Sequence, residues 1–196
     1  MVVDNERDIW IQEVDAALQK WQQADYVLGE HWFIQRCNPD RPLTQASEDA
    51  AQEESDLAEY EVRGFVVVTQ TCDIVHTCSK RPFVEVVPLV EVGEEQLYQI
   101  QRIRQPQYAY IPGVAELNLV ADLDRVMTVE KAVVAQWERK PGCQNDEEIR
   151  VLGQALVRKR ARFAFPDEFN QLVNKLQDQM KKKHDKSSPE GEAPSF

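Results

Sequence analysis

Between residues 5 and 23, apolar side chains recur at helical spacing: Trp10, Ile11, Val14, Leu18 and Trp21 form one stripe, and Asp4 or Asn5 can cap it. The pattern predicts an amphipathic helix with both tryptophans on its packing face. From Ala24 to Cys37 the period shortens, and a strand or two are expected around Gly29. Gly64-Phe65-Val66-Val67-Val68-Thr69 is a continuous run of the kind that forms a strand buried on both faces. A second run, Phe83 to Val90, contains Pro88, whose missing donor places that strand's end at an edge or bulge. After the turn at Gly93, Tyr98 and Ile100 alternate with Gln99 and Gln101, which predicts a half-exposed strand. Tyr108–Ile111, Leu117–Val120 and Leu123–Met127 complete the expected β region.

Helical spacing then takes over. Thr128 can cap a short helix running to Trp137, and Pro141-Gly142 breaks it. Asn145 with Glu148 three residues on resembles a capping box, followed by a stripe of Ile149, Leu152, Leu156 and Phe163. A third helix is expected from Pro166 to Lys183, with acidic residues in its first turn and lysines in its last. The fold class expected is therefore α+β: an N-terminal helix, a small, mostly antiparallel sheet or open barrel, and a C-terminal set of three helices. Residues 1–183 read as one domain and 184–196 as a disordered polar tail. Residues 38–59 have almost no large apolar side chain and read as an acidic connector inside that domain, flexible or weakly helical.

At 196 residues the chain is long enough for a sizeable core. It has no apolar run long enough to span a bilayer, and its first residues are acidic, so a cytoplasmic protein with no membrane partner is expected. Charge is unevenly spread. Residues 1–61 hold 15 acidic and 4 basic side chains, which accounts for the whole net charge of −11. Residues 150–186 hold 10 basic against 4 acidic. The acidic total argues against general nucleic-acid binding, while leaving a local basic patch at 158–162 as a phosphate or partner contact.

Four cysteines in a chain of this kind point to reduced thiols. Cys72-x3-His76-x-Cys78, with Cys37 upstream, supplies the ligand types of a tetrahedral zinc site at irregular spacing. Its plainer reading is Cys72 packed as a small hydrophobe beside exposed His76 and Cys78. No cofactor is otherwise expected. The stretch Thr69-Gln70-Thr71-Cys72-Asp73-Ile74-Val75-His76 places reactive side chains at a strand end, where Cys72 can serve as nucleophile, His76 as base and Asp73 as orienter. The same polar residues can instead cap a turn. Asp122 and Asp124 at spacing two lack the companions of a nuclease metal site. There is no Gly-rich phosphate loop, no Gly-x-Ser-x-Gly elbow and no His-Glu-x-x-His. Arg158-Lys159-Arg160-Ala161-Arg162 precedes Phe163 and Phe165, so the segment can grip phosphate and stack a base, or bind the acidic front of the chain.

The strand end Val-Val-Thr-Gln-Thr-Cys-Asp-Ile (67–74) and the junction Arg-Phe-Ala-Phe-Pro-Asp-Glu-Phe (162–169) resemble uncharacterised bacterial proteins of mobile or defence islands. Thr69 departs from the serine expected there. No activity comes with that resemblance. The order of short strands is also similar to small SH3-like barrels, including those of toxin endoribonucleases, which implies a fold and no catalytic residue. The function expected is a non-catalytic adaptor subunit that binds a larger protein through Trp10, Trp21, Arg158, Arg160 and Arg162. The competing expectation is an enzyme acting on nucleic acid or nucleotides, with its site at Cys72, Asp73 and His76.

Overall fold

In the computed structural model, which describes residues 3–102 and 104–161, six antiparallel strands form an open sheet. The chain begins with helix α1 (Val3–Leu18) and enters strand β1 (Tyr26–Arg36). Helix α2 (Gln45–Gln52), strand β2 (Leu57–Val67), the single turn α3 (Thr71–Ile74) and strand β3 (Phe83–Glu91) follow. Helix α4 (Glu94–Gln101), strand β4 (Tyr108–Ala109), a 3-10 turn (Pro112–Leu117) and strands β5 (Leu119–Asp122) and β6 (Met127–Glu130) come next. Helices α5 (Lys131–Val134) and α6 (Asp146–Arg160) close the described unit. The strand order is β1-β2-β3-β5-β4, with β6 also on β3. The helix expected from Pro166 and the tail 184–196 lie outside the described residues.

The run Phe65–Val68 is buried throughout, and its side chains alternate between two cores. Phe65 and Val67 face a cluster with Val14, Leu18 and Trp21, together with Val134 of α5. Val66 and Val68 face a cluster with Ile111, Leu119, Leu152 and Ala155. Two covered faces explain why the sheet stays open. Each face is sealed by helices, α1 and α5 on one side and α6 on the other, so a barrel interior is not needed to hide it. Pro88 sits where the pairing of β3 changes partner: Phe83–Val86 pair with β6 and Leu89–Glu91 with β5, leaving Val87 and Pro88 between.

Several expected elements take other forms. Residues 94–101 are helical, not a strand. Gly93 gives an extended entry, Glu94 and Glu95 occupy the first turn where the helix dipole favours them, and Ile100 is buried. Thr128 lies in β6, paired opposite Glu85, so the helix expected from 128 begins at Lys131. Leu117 belongs to the 3-10 turn, and the strand starts at Leu119. Within 38–59, Thr44 and Ser47 form a reciprocal cap on α2, Ala50 packs inward, and β2 starts at Leu57. Helix α1 stops at Leu18, and Trp21 beyond it turns into the core at 4% exposure.

A buried carboxylate fixes the passage from α1 to β1. Asp25 accepts from the Gln22 amide at 2.8 Å and from Arg139 Nε at 2.6 Å. Burial raises its pKa against the opposing pull of Arg139 and the Gln22 amide. Nearby, His31 meets Phe65 and Trp137 edge-on at 5.6 and 5.5 Å, while those two rings stack at 5.8 Å. Burial lowers the pKa of His31 below its ordinary 6.5, although a bond with the Leu28 backbone works the other way. Between that lowered value and 6.5 the unfolded chain binds more protons than the folded one. The contribution of neutral His31 is therefore complete above 6.5 and is lost as pH falls through the window. We expect urea midpoints to drop from pH 7 to 5, with a shallower drop in His31→Gln; parallel curves for the two proteins would refute this role.

Candidate functional site

The segment between β2 and β3 carries the reactive residues, and its path is set by neighbours on both sides. Thr69 Oγ1 accepts from the Glu85 amide at 2.6 Å, and Gln23 Nε2 donates to the Val68 carbonyl at 2.8 Å. Ile74 anchors α3 with a fully buried side chain in the α1-side core. From α1, Asp15 accepts from the Cys78 amide at 2.8 Å and from Thr77 Oγ1 at 2.9 Å. From α5, Lys131 Nζ donates to the carbonyls of Asp73 at 2.9 Å and His76 at 2.5 Å.

Lys131 is the least foreseeable member of this arrangement, at 1% exposure. A buried ammonium needs fixed acceptors, and here the loop's own carbonyls provide them. Burial lowers its pKa, opposed by Cys78, Asp15 and Asp73. For Asp15 burial works against the charge, but the bonds from Cys78 and Thr77, with Lys131 nearby, prevail and hold the carboxyl below its ordinary value. Cys78 is pushed up to about 11 by burial and by the neighbouring Asp15 carboxylate, which keeps it a thiol near neutrality. The one sequence sign of Lys131 is a lone cation between Val129-Glu130 and Ala132-Val133-Val134. Asp15 has none, since it sits on an ordinary helical face.

The sequence-predicted site residues are distributed unevenly. Cys72 is exposed on α3, with Sγ 3.8 Å from Gln70 Oε1 and 4.0 Å from Asp73 Oδ1. Asp73 is engaged by Arg81 in an ion pair, and His76 is exposed, its backbone carbonyl taken by Lys131. Cys37 lies at the far end of the sheet. Its amide bonds to Asp56, just before the 11-residue β2, while Cys72 follows the other end. That strand separates them by on the order of 30 Å. Cys37, Cys72, His76 and Cys78 therefore do not form one ligand set. Among the described residues no three His, Cys, Asp or Glu side chains converge on a metal position.

The two expected tryptophan contacts also part company. Trp21 is core and tilts against Trp137 at 6.5 Å, so it is not on the surface available to a partner. Trp10 remains 49% exposed at the mouth of a cleft of about 230 Å³, with Arg7, Ile11, Cys78, Pro82 and Glu130. Two residues of the basic segment pair with the sheet region: Lys159 with Asp124, and Arg160 with Glu85 at 2.5 Å. Arg158 is exposed on the same last turn, and Arg162 lies outside the described residues. Arg160 also brings the two distinctive sequence segments together. It lines an open groove of about 600 Å³ with Gln70, Asp73, Arg81, Phe83 and Glu85.

No protein family matches this chain, and no curated protein matches it in sequence. The chemistry of the site therefore rests on its geometry. Residues 69–82 form a loop in which Asp73 pairs with Arg81, with Cys72 and His76 exposed. The apolar opening beside it belongs to Trp10. No helix among the described residues is long and apolar enough to cross a membrane.

Proposed function

We propose that this protein is a non-catalytic binding subunit, an adaptor in a bacterial protein complex, and that α1 is its contact face toward a larger protein. The observation that carries the reading is Trp10. It stands half exposed beside Ile9, also half exposed, over the cleft that Arg7, Ile11 and Pro82 help to line. A large aromatic ring next to an unfilled apolar recess is the typical anchor of a protein interface. The loop residues support the same reading, because Asp73, Asp15 and Lys131 are all used in holding the loop's shape. A place in a defence or mobile-element system belongs to this proposal through the resemblance of the two sequence segments.

Native mass spectrometry of the protein from its own host tests it. The expected result is a defined assembly with a larger chain, lost in Trp10→Ala while the thermal midpoint stays within about 1 °C, as for exposed substitutions generally. A lone chain in both preparations would refute it. A nucleic-acid or nucleotide enzyme is the second reading, favoured by the groove that places Arg81 and Arg160 beside the exposed ring of Phe83. Under that reading, Asp73→Asn abolishes turnover of a nucleotide substrate and leaves any assembly intact.

A further inference from the structure

We infer that the free edge of β1 receives an extended, basic segment of a partner protein as an added strand. This goes beyond the α1 contact proposed above, uses none of its residues, and holds or fails separately. Strand β1 ends the strand order, so one of its sides pairs with β2. The other side is bridged only at Tyr26, by Lys140, among the described residues. No other strand pairs with this side from 28 to 36, so apart from the Leu28 group held by His31 its backbone can bond to an extended chain.

The side chains on this edge select the occupant. Proteins usually blunt such an edge with lysine, proline or a very short strand. Here β1 runs 11 residues and exposes Trp32 and Ile34, at 53% and 43%, on one face. Their cross-strand partners on β2 are Glu61 and Glu59. The same surface continues into a cleft of about 440 Å³ that includes Leu28, Leu117 and Leu119 and carries Glu30, Glu61 and Glu91. None of Glu30, Glu59, Glu61 and Glu91 is in an ion pair among the described residues. Arg63 also lines the cleft, and Arg36 at the strand's end is already paired with Asp56. On an added strand every second side chain shares the face of Trp32, Ile34, Glu59 and Glu61. A segment with lysine or arginine at those positions, and apolar residues between them, lays its aliphatic stems over the two apolar side chains and its cations toward the glutamates. A second copy of this chain fits less well, since edge-to-edge pairing would bring two sets of the same carboxylates together.

The test is titration calorimetry of the full chain at low salt with an acetylated, amidated Lys-Val-Lys-Val-Lys-Val-Lys peptide. The comparison peptides are a block-ordered isomer of the same composition and a glutamate-for-lysine version. The alternating peptide is expected to bind at least about tenfold more tightly than the block isomer, because only a regular strand places its cations on one face. Hydrogen exchange should slow across residues 28–36. Trp32→Ala should weaken binding about 30-fold, as loss of a central aromatic anchor does. Glu59→Lys with Glu61→Lys should lose the lysine peptide and take up the glutamate one. All three side chains are exposed, so thermal melts should confirm an unchanged fold. Equal binding of both isomers, no binding, protection elsewhere than 28–36, or a dimer that already covers β1 would each overturn the proposal.

Discussion

Replacing Gly64 with alanine is expected to lower stability by at least about 4 kcal/mol, close to the whole margin of a typical domain. Gly64 lies within β2 at a φ of +150°, a conformation that L residues with a side chain rarely adopt. A Cβ there would stand 1.9 Å from the Val27 carbonyl oxygen, 2.9 Å from its carbon and 3.1 Å from Leu28 Cα. Those neighbours are backbone, so no rotamer change relieves the contact. The strands themselves must separate. The pairing that would give way, Leu28 opposite Gly64, lies next to the irregularity between Leu28 and His31. Its loss would also disturb Phe65 and the aromatic cluster around His31. Urea titration followed by tryptophan fluorescence checks this. Gly153→Ala is the control, because its Cβ meets nothing within 4 Å in the interior of α6. There a gain of roughly 0.5–1 kcal/mol is expected from helix propensity. Similar midpoints for the two variants would show that the β1–β2 approach is looser than described.

Lys131→Met is expected to cost about 3 kcal/mol and to loosen the loop that carries Cys72 and Cys78. Methionine keeps most of the volume and removes the ammonium, leaving the Asp73 and His76 carbonyls without this donor. A buried polar group stripped of its partner costs about 1–3 kcal/mol, and two are affected here. The Lys131 backbone amide still bonds to the Pro82 carbonyl at 2.8 Å, so the helix start itself should survive. The signature is therefore local. Labelling of Cys78 by a disulfide reagent at pH 8 should accelerate about tenfold, as when a local opening becomes less costly by roughly 1.4 kcal/mol. Lys159→Met is the comparison. Its pair with Asp124 is partly exposed, and pairs of that kind contribute about 1 kcal/mol or less. An unchanged midpoint and unchanged labelling for Lys131→Met would remove Lys131 from its place as the loop's anchor.

Where the sequence pattern misled, the cause can be named residue by residue. At Tyr98–Gln101 a two-residue alternation also fits a helix in which Leu97 and Ile100 share a face, and the short stretch did not separate the two. Thr128 looked like a helix cap because its strand partner, Glu85, lies more than forty positions away in the chain. Trp21 kept helical spacing with Trp10 and Val14, yet α1 ends at Leu18 and the ring packs from beyond the helix. In each case local spacing was consistent with more than one structure, and long-range pairing selected among them.

Pro88, expected to put a strand end on an edge or bulge, instead pairs with Phe65 inside β3, a central strand that runs on to Glu91. Legible from the chain alone were the α+β composition, the N-terminal helix and the buried central strand at Phe65–Val68. All of these follow from side-chain periodicity and backbone chemistry, which are local properties. Packing between distant segments set the rest: both sheet faces are covered, Lys131 and Asp15 clamp the loop of Cys72, and Cys37 stands a strand's length from Cys72. It also decided that Arg160 meets that loop's groove and that Trp10, not Trp21, is left on the surface. Those outcomes depend on which distant residues come within a few ångströms of one another. A buried lysine looks like any other lysine in a sequence until the carbonyls that hold it are brought beside it.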